Sequence, residues 1–259
     1  MRCLLSILIV HYNTPDLLRR CLASITAAEV DFSFEVIVID NASPDGSVKT
    51  LAGEFPRVDF HFNTQNFGFA RANNQGIQMG QGRYSMLLNP DACIDADGIR
   101  GLTEFMENHP GAGAAGPMLV YPSGALQLSC RRFPTFRTLL LRMGRLDRWV
   151  RGPVRHYLMQ DWDHQSVAEV DWVLGACMIL RREALDRVGL LDEDFFMYYE
   201  DIDLCLRLWQ GGWKVYYIPQ VKVPHEHQRA SAGLLPNRLT YEHARSLFHL
   251  FGKHRLAWW

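Results

Sequence analysis

The sequence lacks the features of several broad classes of protein. No run of about 20 apolar residues, the length of a membrane-spanning helix, occurs in its 259 residues. No charge dominates, because 27 Lys and Arg stand against 28 Asp and Glu, so no overall basic excess attracts nucleic acid. The six cysteines form no C-x-x-C pair, which argues against a zinc cluster. We expect a soluble or membrane-peripheral protein with reduced, buried cysteines, as in the cytoplasm.

Glycine-rich phosphate-binding signatures are missing as well. A dinucleotide-binding domain carries G-x-G-x-x-G directly after its first strand, where this chain has His11-Tyr12-Asn13. The P-loop pattern G-x-x-x-x-G-K-[ST] is absent, and so is the Gly-rich, Arg-containing loop of a sugar-phosphate nucleotidyltransferase. These absences disfavour a dehydrogenase and a nucleotidyltransferase. Bound phosphates would need another partner to neutralise their charge, and a metal ion on Asp91 is the candidate.

The first part of the chain alternates apolar runs with helical patterns. The apolar runs predict strands at 4–10, 35–40, 58–62 and 84–88. Thr14 and Pro15 predict the start of a helix with Thr14 as its cap, and a second helix is predicted at 70–79. This alternation is typical of a parallel α/β sheet with right-handed crossovers. Polar residues follow the strand ends, at the edge where open α/β sheets bind ligands.

The rest of the chain is predicted to be less regular. Residues 123–167 mix Arg, Gly, Pro and aromatics, which indicates a long insertion that is mobile in part. Beyond it we predict a strand-like segment at 170–181, a helix at 201–209, a strand at 214–218 and a helix at 237–259. The last helix combines basic and aromatic residues, so it either lies on an anionic membrane surface or caps the domain.

Six short motifs follow one another along the chain. They are His11-Tyr12-Asn13, Ile39-Asp40-Asn41-Ala42-Ser43, the segment 66–76, Leu88-Asn89-Pro90-Asp91-Ala92, Trp172-Val173-Leu174-Gly175-Ala176-Cys177 and the segment 196–205. In this order they resemble the family-two glycosyltransferases of the GT-A fold, and especially their rhamnosyltransferase-like branch. The resemblance covers roughly residues 4–250.

The resemblance implies a GT-A fold of the α/β class. Helices would flank a Rossmann-like, mostly parallel central sheet, and an acceptor-side subdomain would be added to it. The single domain 1–259 would comprise a nucleotide-sugar-binding half at 1–122, a variable insertion at 123–168, an acceptor and catalytic half at 169–226 and a C-terminal helical segment at 227–259.

The same resemblance implies an inverting, metal-dependent hexosyltransferase. Its expected reaction is transfer of L-rhamnose from dTDP-L-rhamnose to a saccharide or polyprenyl-linked saccharide in cell-envelope polysaccharide biosynthesis. A UDP-hexose donor is one alternative, and a non-catalytic module that binds a nucleotide sugar is another. The expected location is the cytoplasm, with peripheral association at the inner face of the cell membrane.

Nine residues are implied by the resemblance to bind the donor. They are His11, Asn13, Asp40, Asn41, Asn66, Gly68, Arg71, Asn73 and Asn89. At Asp40 a carboxylate would accept the N–H of a uracil or thymine base, because a carboxylate only accepts; an Asx-turn is the structural alternative. Gly68 would let the backbone approach the ligand closely. Arg71 faces either the phosphates or a surface ion-pair partner.

A metal site is expected at Asn89-Pro90-Asp91. This motif stands where many GT-A enzymes carry Asp-x-Asp, so an amide replaces the first carboxylate. Asp91 can still hold Mg²⁺ or Mn²⁺ on the diphosphate oxygens, because hard cations choose oxygen ligands. The resemblance adds a late histidine as a further ligand, and His225 is favoured over His227.

The catalytic residues rest on the resemblance too. Asp201 would be the general base that takes the proton of the acceptor hydroxyl, and Glu200 would support the acceptor or orient Asp201. Asp203, in the first turn of the same helix, complements the helix dipole. Four residues are implied to form the acceptor-side wall: Asp171, Trp172, Gly175 and Ala176. For Trp172 a place in the core is the alternative.

Overall fold

The structure is a computed structural model that describes residues 3–44, 46–143, 151–226 and 238–254. Strands and helices alternate regularly in the first half of the chain and become shorter afterwards. In chain order they are β1 (Leu5–His11), α1 (Pro15–Thr26), β2 (Phe34–Asp40), α2 (Ser47–Glu54), β3 (Asp59–Phe62), α3 (Phe69–Met79), β4 (Tyr84–Leu88), α4 (Ala96–Asn108), β5 (Ala112–Val120), β6 (Cys130–Arg131), α5 (Phe136–Met143), α6 (Arg151–Tyr157), β7 (Ala168–Glu169), β8 (Trp172–Val173), β9 (Cys177–Arg181), α7 (Arg182–Val188), α8 (Glu200–Gln210), β10 (Lys214–Pro224) and α9 (Arg238–His254).

Eight of these strands form one mixed sheet in the order β3-β2-β1-β4-β9-β5-β10-β7. Strands β1 to β4 are parallel to one another, and β5 is parallel to β10. Because β9 is antiparallel to both β4 and β5, the carboxyl ends of β1, β2, β4, β5 and β10 share one edge, where β9 begins. A mostly parallel central sheet is therefore confirmed. Strands β6 and β8 form a separate antiparallel pair.

Helices cover both faces of the sheet, which explains the unbroken apolar character of its inner strands. Neighbouring residues of β1 belong to different cores: Ile7 and Ile9 pack with α1, α2 and α4, whereas Leu8 packs with α3, α7 and α8. The six cysteines are free and four of them are buried. Burial raises the pKa of Cys177 to about 12, so its thiol remains protonated inside the core.

Strand β5 has no clear signal in the sequence, because Ala, Gly and Pro are poor strand formers. Its small residues are nevertheless required by its neighbours. A Cβ added to Gly113 would lie 2.7 Å from the Cβ of Trp213, and one added to Gly116 would lie 2.8 Å from the Cβ of Val173. Close packing across the backbone therefore outweighs local propensity in this strand.

Two local predictions hold only in part. Thr14 is the N-cap residue of α1, but its side chain makes no capping hydrogen bond, although Pro15 does occupy the first turn. The strand-like segment at 170–181 is divided into β8 and β9 by residues 174–176. Since β9 runs antiparallel, this break lies at the edge where the parallel strands end. Within the predicted insertion, 144–150 lie outside the described residues.

The C-terminal helix packs on the domain. Leu247 of α9 is buried in the core, and Lys253 and His254 lie 2.8 and 2.6 Å from the fully buried carboxylate of Asp203. Asp203 therefore anchors α9, a role beyond the dipole partner expected from the sequence. Residues 255–259 lie outside the described residues, and membrane association stays a prediction. No helix that the structure describes is long and apolar enough to cross a membrane.

We expect Gly68, the residue before α3, to tolerate no side chain. Its φ is +86°, and an added Cβ would lie 2.4 Å from the carbonyl oxygen of Phe196. The substitution Gly68→Ala should therefore lower the free energy of unfolding by about 2–4 kcal/mol. Urea denaturation of the purified variant measures this change.

The matched control is Gly53→Ala inside α2. No atom lies within 4 Å of a Cβ added at Gly53, so the same substitution should raise stability by about 0.5–1 kcal/mol. If Gly68→Ala were as stable as the unaltered protein, the contact between Gly68 and Phe196 would not constrain the fold.

Candidate active site at the carboxyl edge of the sheet

A cavity of about 380 Å³ opens where β2 and β3 end. It is lined by Asp40, Ala42, Ser43, Gly46, Val48, Lys49, Phe62, Asn63 and Thr64. Asp40 and Phe62 are the last residues of β2 and β3 and are direct partners in the register. The parallel pairing thus brings a carboxylate and a half-exposed aromatic ring to one cavity, a combination that suits a flat heterocycle with an N–H donor.

His11 holds Asp40 from inside the protein. Its imidazole is fully buried, and its Nε2 accepts the N–H of Thr14 at 3.0 Å, so Nδ1 carries the proton and donates to Asp40 Oδ1 at 3.0 Å. The N–H and the hydroxyl of Ser43 donate to the same carboxylate. Burial raises the pKa of Asp40, but these hydrogen bonds outweigh it and the pKa is lowered. Asp40 is therefore an ionised acceptor, and His11 supports it from behind.

Asn41 joins the loops that border the cavity. Its amide nitrogen donates to Asn66 Oδ1 at 3.1 Å and to the Gly68 carbonyl at 3.0 Å. Its amide oxygen accepts from Asn63 Nδ2 and from the Phe67 N–H. The sequence assigned Asn41, Asn66 and Gly68 to the donor, and the structure brings the three together through bonds to one another. Direct contact with a donor stays a prediction for them.

The remaining donor-side candidates lie at different depths. Asn13 has a φ of +55°, and its N–H donates to Ser43 Oγ at 2.8 Å beside the cavity. Asn73 is buried and donates to a carbonyl one turn earlier in α3. Arg71 is half exposed, with its Nε 3.7 Å from Glu193. The surface ion pair that the sequence left open for Arg71 is therefore present.

Asp91 and His225 meet at the same edge, after β4 and β10 respectively. Asp91 Oδ1 lies 3.2 Å from His225 Nε2, and only 14% and 4% of the two side chains is exposed. Asp91 Oδ1 is buried and has no hydrogen-bond partner among the described residues. The two predicted metal ligands thus lie in contact with each other, and their binding of a metal stays a prediction; His227 falls outside the described residues.

Gln127 determines which nitrogen of His225 carries the proton. The amide nitrogen of Gln127 donates to the His225 carbonyl at 2.6 Å, which fixes the orientation of the amide. Its oxygen then lies 2.8 Å from His225 Nδ1 and can only accept. A proton is therefore on Nδ1, and Nε2 is the nitrogen that faces Asp91. A carboxylate oxygen and an imidazole nitrogen in this arrangement can ligate one cation.

A second group of potential metal ligands is already neutralised. Asp192, Asp194 and His249 offer ligand atoms within 4.8 Å of one another, but Lys253 Nζ lies 2.6 Å from Asp192. Burial raises the pKa of Asp192, but the hydrogen bonds from Lys253, the Asp194 N–H and His249 together with the charge of Lys253 outweigh it, so the pKa is lowered to about 2. This cluster is an ion-pair network that holds α9 against the loop before α8.

Asn89 and Gly175 connect the metal-ligand loop to α8. The Asn89 N–H donates to the Ala176 carbonyl at 2.9 Å, and the Gly175 N–H donates to Asp201 Oδ2 at 3.2 Å. The short segment between β8 and β9 therefore links Asp91 to Asp201. Gly175 and Ala176 contact Asp201 and Asn89 through their backbone atoms, and their contact with an acceptor stays a prediction.

Glu200 and Asp201 form a pair of carboxylates at the start of α8. Glu200 is buried, and its Oε2 has no hydrogen-bond partner in the described part of the chain. Burial and the neighbouring Asp201 raise the pKa of Glu200, and burial raises the pKa of Asp201. The two groups therefore hold a proton more readily than isolated carboxylates do.

The backbone that leads into this pair is strained. Tyr198 and Tyr199 have φ values of +72° and +70°, and the left-handed region costs L-residues about 1–2 kcal/mol each. Two consecutive residues in this conformation turn the chain sharply into α8 and aim Glu200 and Asp201 at the sheet edge. Backbone strain of this kind concentrates at functional sites.

Asp171 and Trp172 have structural contacts. Asp171 Oδ2 accepts the N–H of Phe133, and Trp172 is 2% exposed, with its Nε1 donating to the Arg132 carbonyl at 2.9 Å. The core position that the sequence left as the alternative for Trp172 is the one observed. The guanidinium of Arg131 lies over the Trp172 ring at 5.1 Å, so an acceptor would meet Trp172 only through Arg131.

Four residues near the site were not predicted from the sequence: Lys49, Phe62, Gln127 and Arg131. Phe62 ends a strand that was predicted, and the register with Asp40 would have identified it. Lys49 lies on a helix that the sequence did not indicate. Gln127 and Arg131 lie in the irregular segment 123–167, where no periodic pattern shows which side chains point inward.

Comparisons with known proteins agree with this geometry. The family model described as Glycosyl transferase family 2 matches residues 6–189. N-acetylglucosaminyl-diphospho-decaprenol L-rhamnosyltransferase of Mycobacterium tuberculosis is 30% identical over 270 residues, which cover 98% of this chain and 86% of the relative. Rhamnosyltransferase WbbL of Escherichia coli K12 is 24% identical over 260 residues, covering 96% of this chain and 93% of the relative.

Solved structures resemble the chain in fold. The crystal structure of GalNAc-T7 with UDP, GalNAc and Mn²⁺ superposes with a TM-score of 0.72 at 15% identity, over 97% of this chain and 48% of that chain. This chain thus spans about half of that protein. The mannosyltransferase PcManGT of Pyrobaculum calidifontis with GDP-Man and Mn²⁺ gives a TM-score of 0.59 at 19% identity, over 89% of this chain and 59% of that one. The fold is the expected GT-A fold.

We expect Glu200 to make stability depend on pH. A carboxyl group whose pKa is raised by folding binds its proton more tightly in the folded protein. Its stabilising contribution is therefore full below the unfolded-state pKa of about 4.3 and is lost as the pH rises through the folded-state pKa. The substitution Glu200→Gln should therefore raise Tm at about pH 8 and change it much less near pH 4.

The control is Glu104→Gln on the exposed face of α4, which should leave the dependence of Tm on pH unchanged. Parallel curves of Tm against pH for Glu200→Gln and the unaltered protein would show that Glu200 is not neutralised by burial.

Proposed function

Because the chain belongs to glycosyl transferase family 2, we propose that it transfers a sugar from a nucleoside-diphosphate donor to a lipid-carried saccharide in the assembly of cell-envelope polysaccharide. One observation carries the assignment. Asp91 Oδ1 and His225 Nε2, two atoms of the kinds that ligate metal ions, face each other at 3.2 Å on the sheet edge where the Asp40 cavity opens. A dehydrogenase or a simple nucleotide-binding module would have no use for this pair.

The nucleoside of the donor is assigned to the Asp40 cavity. Asp40 is ionised and fixed by His11 and Ser43, so it would accept the ring N–H of thymine or uracil without rearranging. Phe62 offers an aromatic face in the same cavity, and Lys49 supplies a positive charge. Pyrimidine bases carry the required N–H donor, which favours dTDP or UDP over other nucleotides.

The residues present fit a divalent cation. The buried Asp91 oxygen lacks a hydrogen bond, a carboxylate oxygen suits Mg²⁺ or Mn²⁺, and the nitrogen of His225 shifts the preference toward Mn²⁺. Gln127 would keep the His225 ring in the tautomer that a metal ligand needs. A bound cation would neutralise the donor diphosphate and stabilise the charge that grows on it as it leaves.

Asp201 is assigned the role of general base. Its Oδ2 is oriented by the Gly175 N–H, and its raised pKa brings it closer to neutrality, where a base is most effective. Glu200, whose pKa is also raised, would stay protonated and spare Asp201 a second negative charge. Asp201 would take the proton of the acceptor hydroxyl as its oxygen bonds to the anomeric carbon. The bond from that carbon to the diphosphate breaks on the opposite face, so the configuration inverts.

The sugar is proposed to be L-rhamnose carried on dTDP. This choice rests on the names of the two rhamnosyltransferases that align with nearly the whole chain, and a UDP-hexose is the alternative. The Mycobacterium tuberculosis relative is named for an acceptor linked to decaprenol through a diphosphate. A lipid-carried acceptor of that class would place this protein at the inner face of the membrane.

The first test is thermal stabilisation by nucleotides with and without Mn²⁺. We expect dTDP or UDP with Mn²⁺ to stabilise the protein by about 2.7 kcal/mol at a concentration near 100 times the dissociation constant. The substitution Asp91→Asn should strongly reduce the part that depends on the metal, because it removes the negative charge of one of the two ligands. Differential scanning fluorimetry measures the shift in Tm.

The control for this experiment is Asp97→Asn, an exposed carboxylate whose side chain pairs only with Arg100 on α4, which should keep the full shift. Stabilisation by NAD, or by no nucleotide at all, would contradict the proposed function. A shift with dTDP that ignores both Mn²⁺ and Asp91 would contradict the metal site alone.

The second test concerns the base. The substitution Asp201→Asn should lower kcat by about 10²–10⁴-fold, the usual contribution of a general base, while the thermal shift with dTDP and Mn²⁺ remains. Turnover is followed as release of the nucleoside diphosphate in the presence of acceptor, and NMR of the product gives its anomeric configuration.

Asp186→Asn, an exposed carboxylate on α7, serves as the control and should retain kcat. Full activity of Asp201→Asn would exclude Asp201 as the base. A product with the donor's anomeric configuration would exclude the inverting course of the reaction.

A further inference from the structure

Two arginines near the base lack an acidic partner. Arg131 in β6 and Arg142 on α5 form no ion pair with a carboxylate of the described residues, whereas the adjacent Arg132 lies 2.8 Å from Asp161. Arg131 Nε is buried and has no hydrogen-bond partner within the same part of the chain. A buried guanidinium N–H without a partner is costly and indicates a ligand that supplies one.

Aromatic rings hold both arginines in place. The Arg131 guanidinium lies 5.1 Å from the ring centre of Trp172 and 5.7 Å from that of Tyr157. The Arg142 guanidinium lies 5.5 Å from the same Tyr157 ring. Contacts of this kind fix the side chains before any ligand binds.

The two positive charges also affect each other. Burial and the charge of Arg131 lower the pKa of Arg142. Two guanidinium groups that share one ring and repel each other form a strong site for an anion, since an anion between them would relieve the repulsion.

Strand β6 brings Arg131 toward Asp201, because Arg131 is the direct partner of Trp172 in β8 and Gly175, shortly after β8, donates to Asp201. Burial raises the pKa of Asp201, and the positive charge of Arg131 opposes that rise, so Arg131 is close enough to act on the base. Asp91 and His225 follow strands of the main sheet, whereas Arg131 and Arg142 belong to the segment between β5 and β7. The donor diphosphate is assigned to Asp91 and His225, so a second anion near Asp201 belongs to the acceptor.

We propose that Arg131 and Arg142 bind the phosphate or diphosphate group through which the acceptor sugar is attached to its carrier. The inference rests on the proposed function, because Asp201 defines the acceptor side. It specifies the class of acceptor as a glycosyl phosphate or diphosphate, and it assigns the recognition of the anion to β6 and α5. Bidentate contacts from two guanidinium groups would fix the distance between the anion and the hydroxyl that Asp201 deprotonates.

The test measures binding and turnover with two acceptors. One is N-acetylglucosaminyl diphosphate carrying a short farnesyl chain, and the other is the neutral phenyl N-acetylglucosaminide. Binding is measured by calorimetry in EDTA, so that no metal captures the diphosphate at Asp91. We expect Arg142→Gln to raise Kd for the diphosphate acceptor by about 10–100-fold, the effect of losing a charged hydrogen-bond donor, and to leave the neutral acceptor and the KM of the donor unchanged.

Arg137→Gln is the matched control, because Arg137 is exposed on the same helix α5, and its Kd should change by less than about twofold. Arg131→Gln should weaken binding as Arg142→Gln does and should also shift the pH profile of kcat toward higher pH, since its charge no longer lowers the pKa of Asp201. Arg142→Lys keeps the charge but not the planar fork, so its Kd for the diphosphate acceptor should lie between those of Arg137→Gln and Arg142→Gln.

Three results would overturn the inference. The first is an unchanged Kd for the diphosphate acceptor in Arg131→Gln and Arg142→Gln when both variants retain their Tm, and the second is an equal loss of affinity for the neutral acceptor. The third is a rise in the KM of the donor alone, which would assign the arginines to the donor diphosphate. Failure of the proposed function is distinguishable. The unaltered protein would then bind the diphosphate acceptor in an arginine-dependent way but release no nucleotide.

Discussion

Two backbone hydrogen bonds between the end of β10 and the loop after β4 determine where Asp91 and His225 lie. The Cys93 N–H donates to the Pro224 carbonyl at 2.9 Å, and the Glu226 N–H donates to the Asp91 carbonyl at 2.8 Å. Because β4 and β10 point in the same direction, these bonds form only at their common carboxyl edge. They hold Asp91 against His225, and the Asn89 backbone extends the connection through Ala176 toward α8.

Amides and carboxylates have different tasks at this edge. The amides of Asn41, Asn63 and Asn66 are bonded to one another and to the backbone, and they build the loops around the Asp40 cavity. The carboxylates keep unused acceptor capacity, which is most evident at Asp91 Oδ1. Loops with satisfied amides are rigid, and unsaturated carboxylates can receive a ligand without reorganisation, which is the preorganisation that catalysis requires.

The polar groups in and around α8 are of two kinds. Asp192 and Asp203 are neutralised by Lys253 and hold α9 on the domain, so their ion pairs serve stability. Glu200 and Arg131 contain buried polar atoms that lack hydrogen-bond partners in the described chain. Such groups cost stability, and their accumulation around Asp201 is the physical mark of a site built to bind and react.

The sequence by itself determined the fold class and, together with the family resemblance, indicated three carboxylates for the site. Apolar runs that end on Asp40 and just before Asp91 predict a parallel sheet, and the ends of parallel strands must share an edge. The short motif at Asp201 added the third. Tertiary structure alone decided the supporting roles: His11 holds Asp40 from inside, and small residues make β5 a central strand. Gln127 sets the tautomer of His225 from 98 positions away. The local pattern of apolar and polar residues indicates which positions are buried and where strands lie. The position of a proton or of an unpaired polar group depends on contacts that exist only once distant segments have packed together.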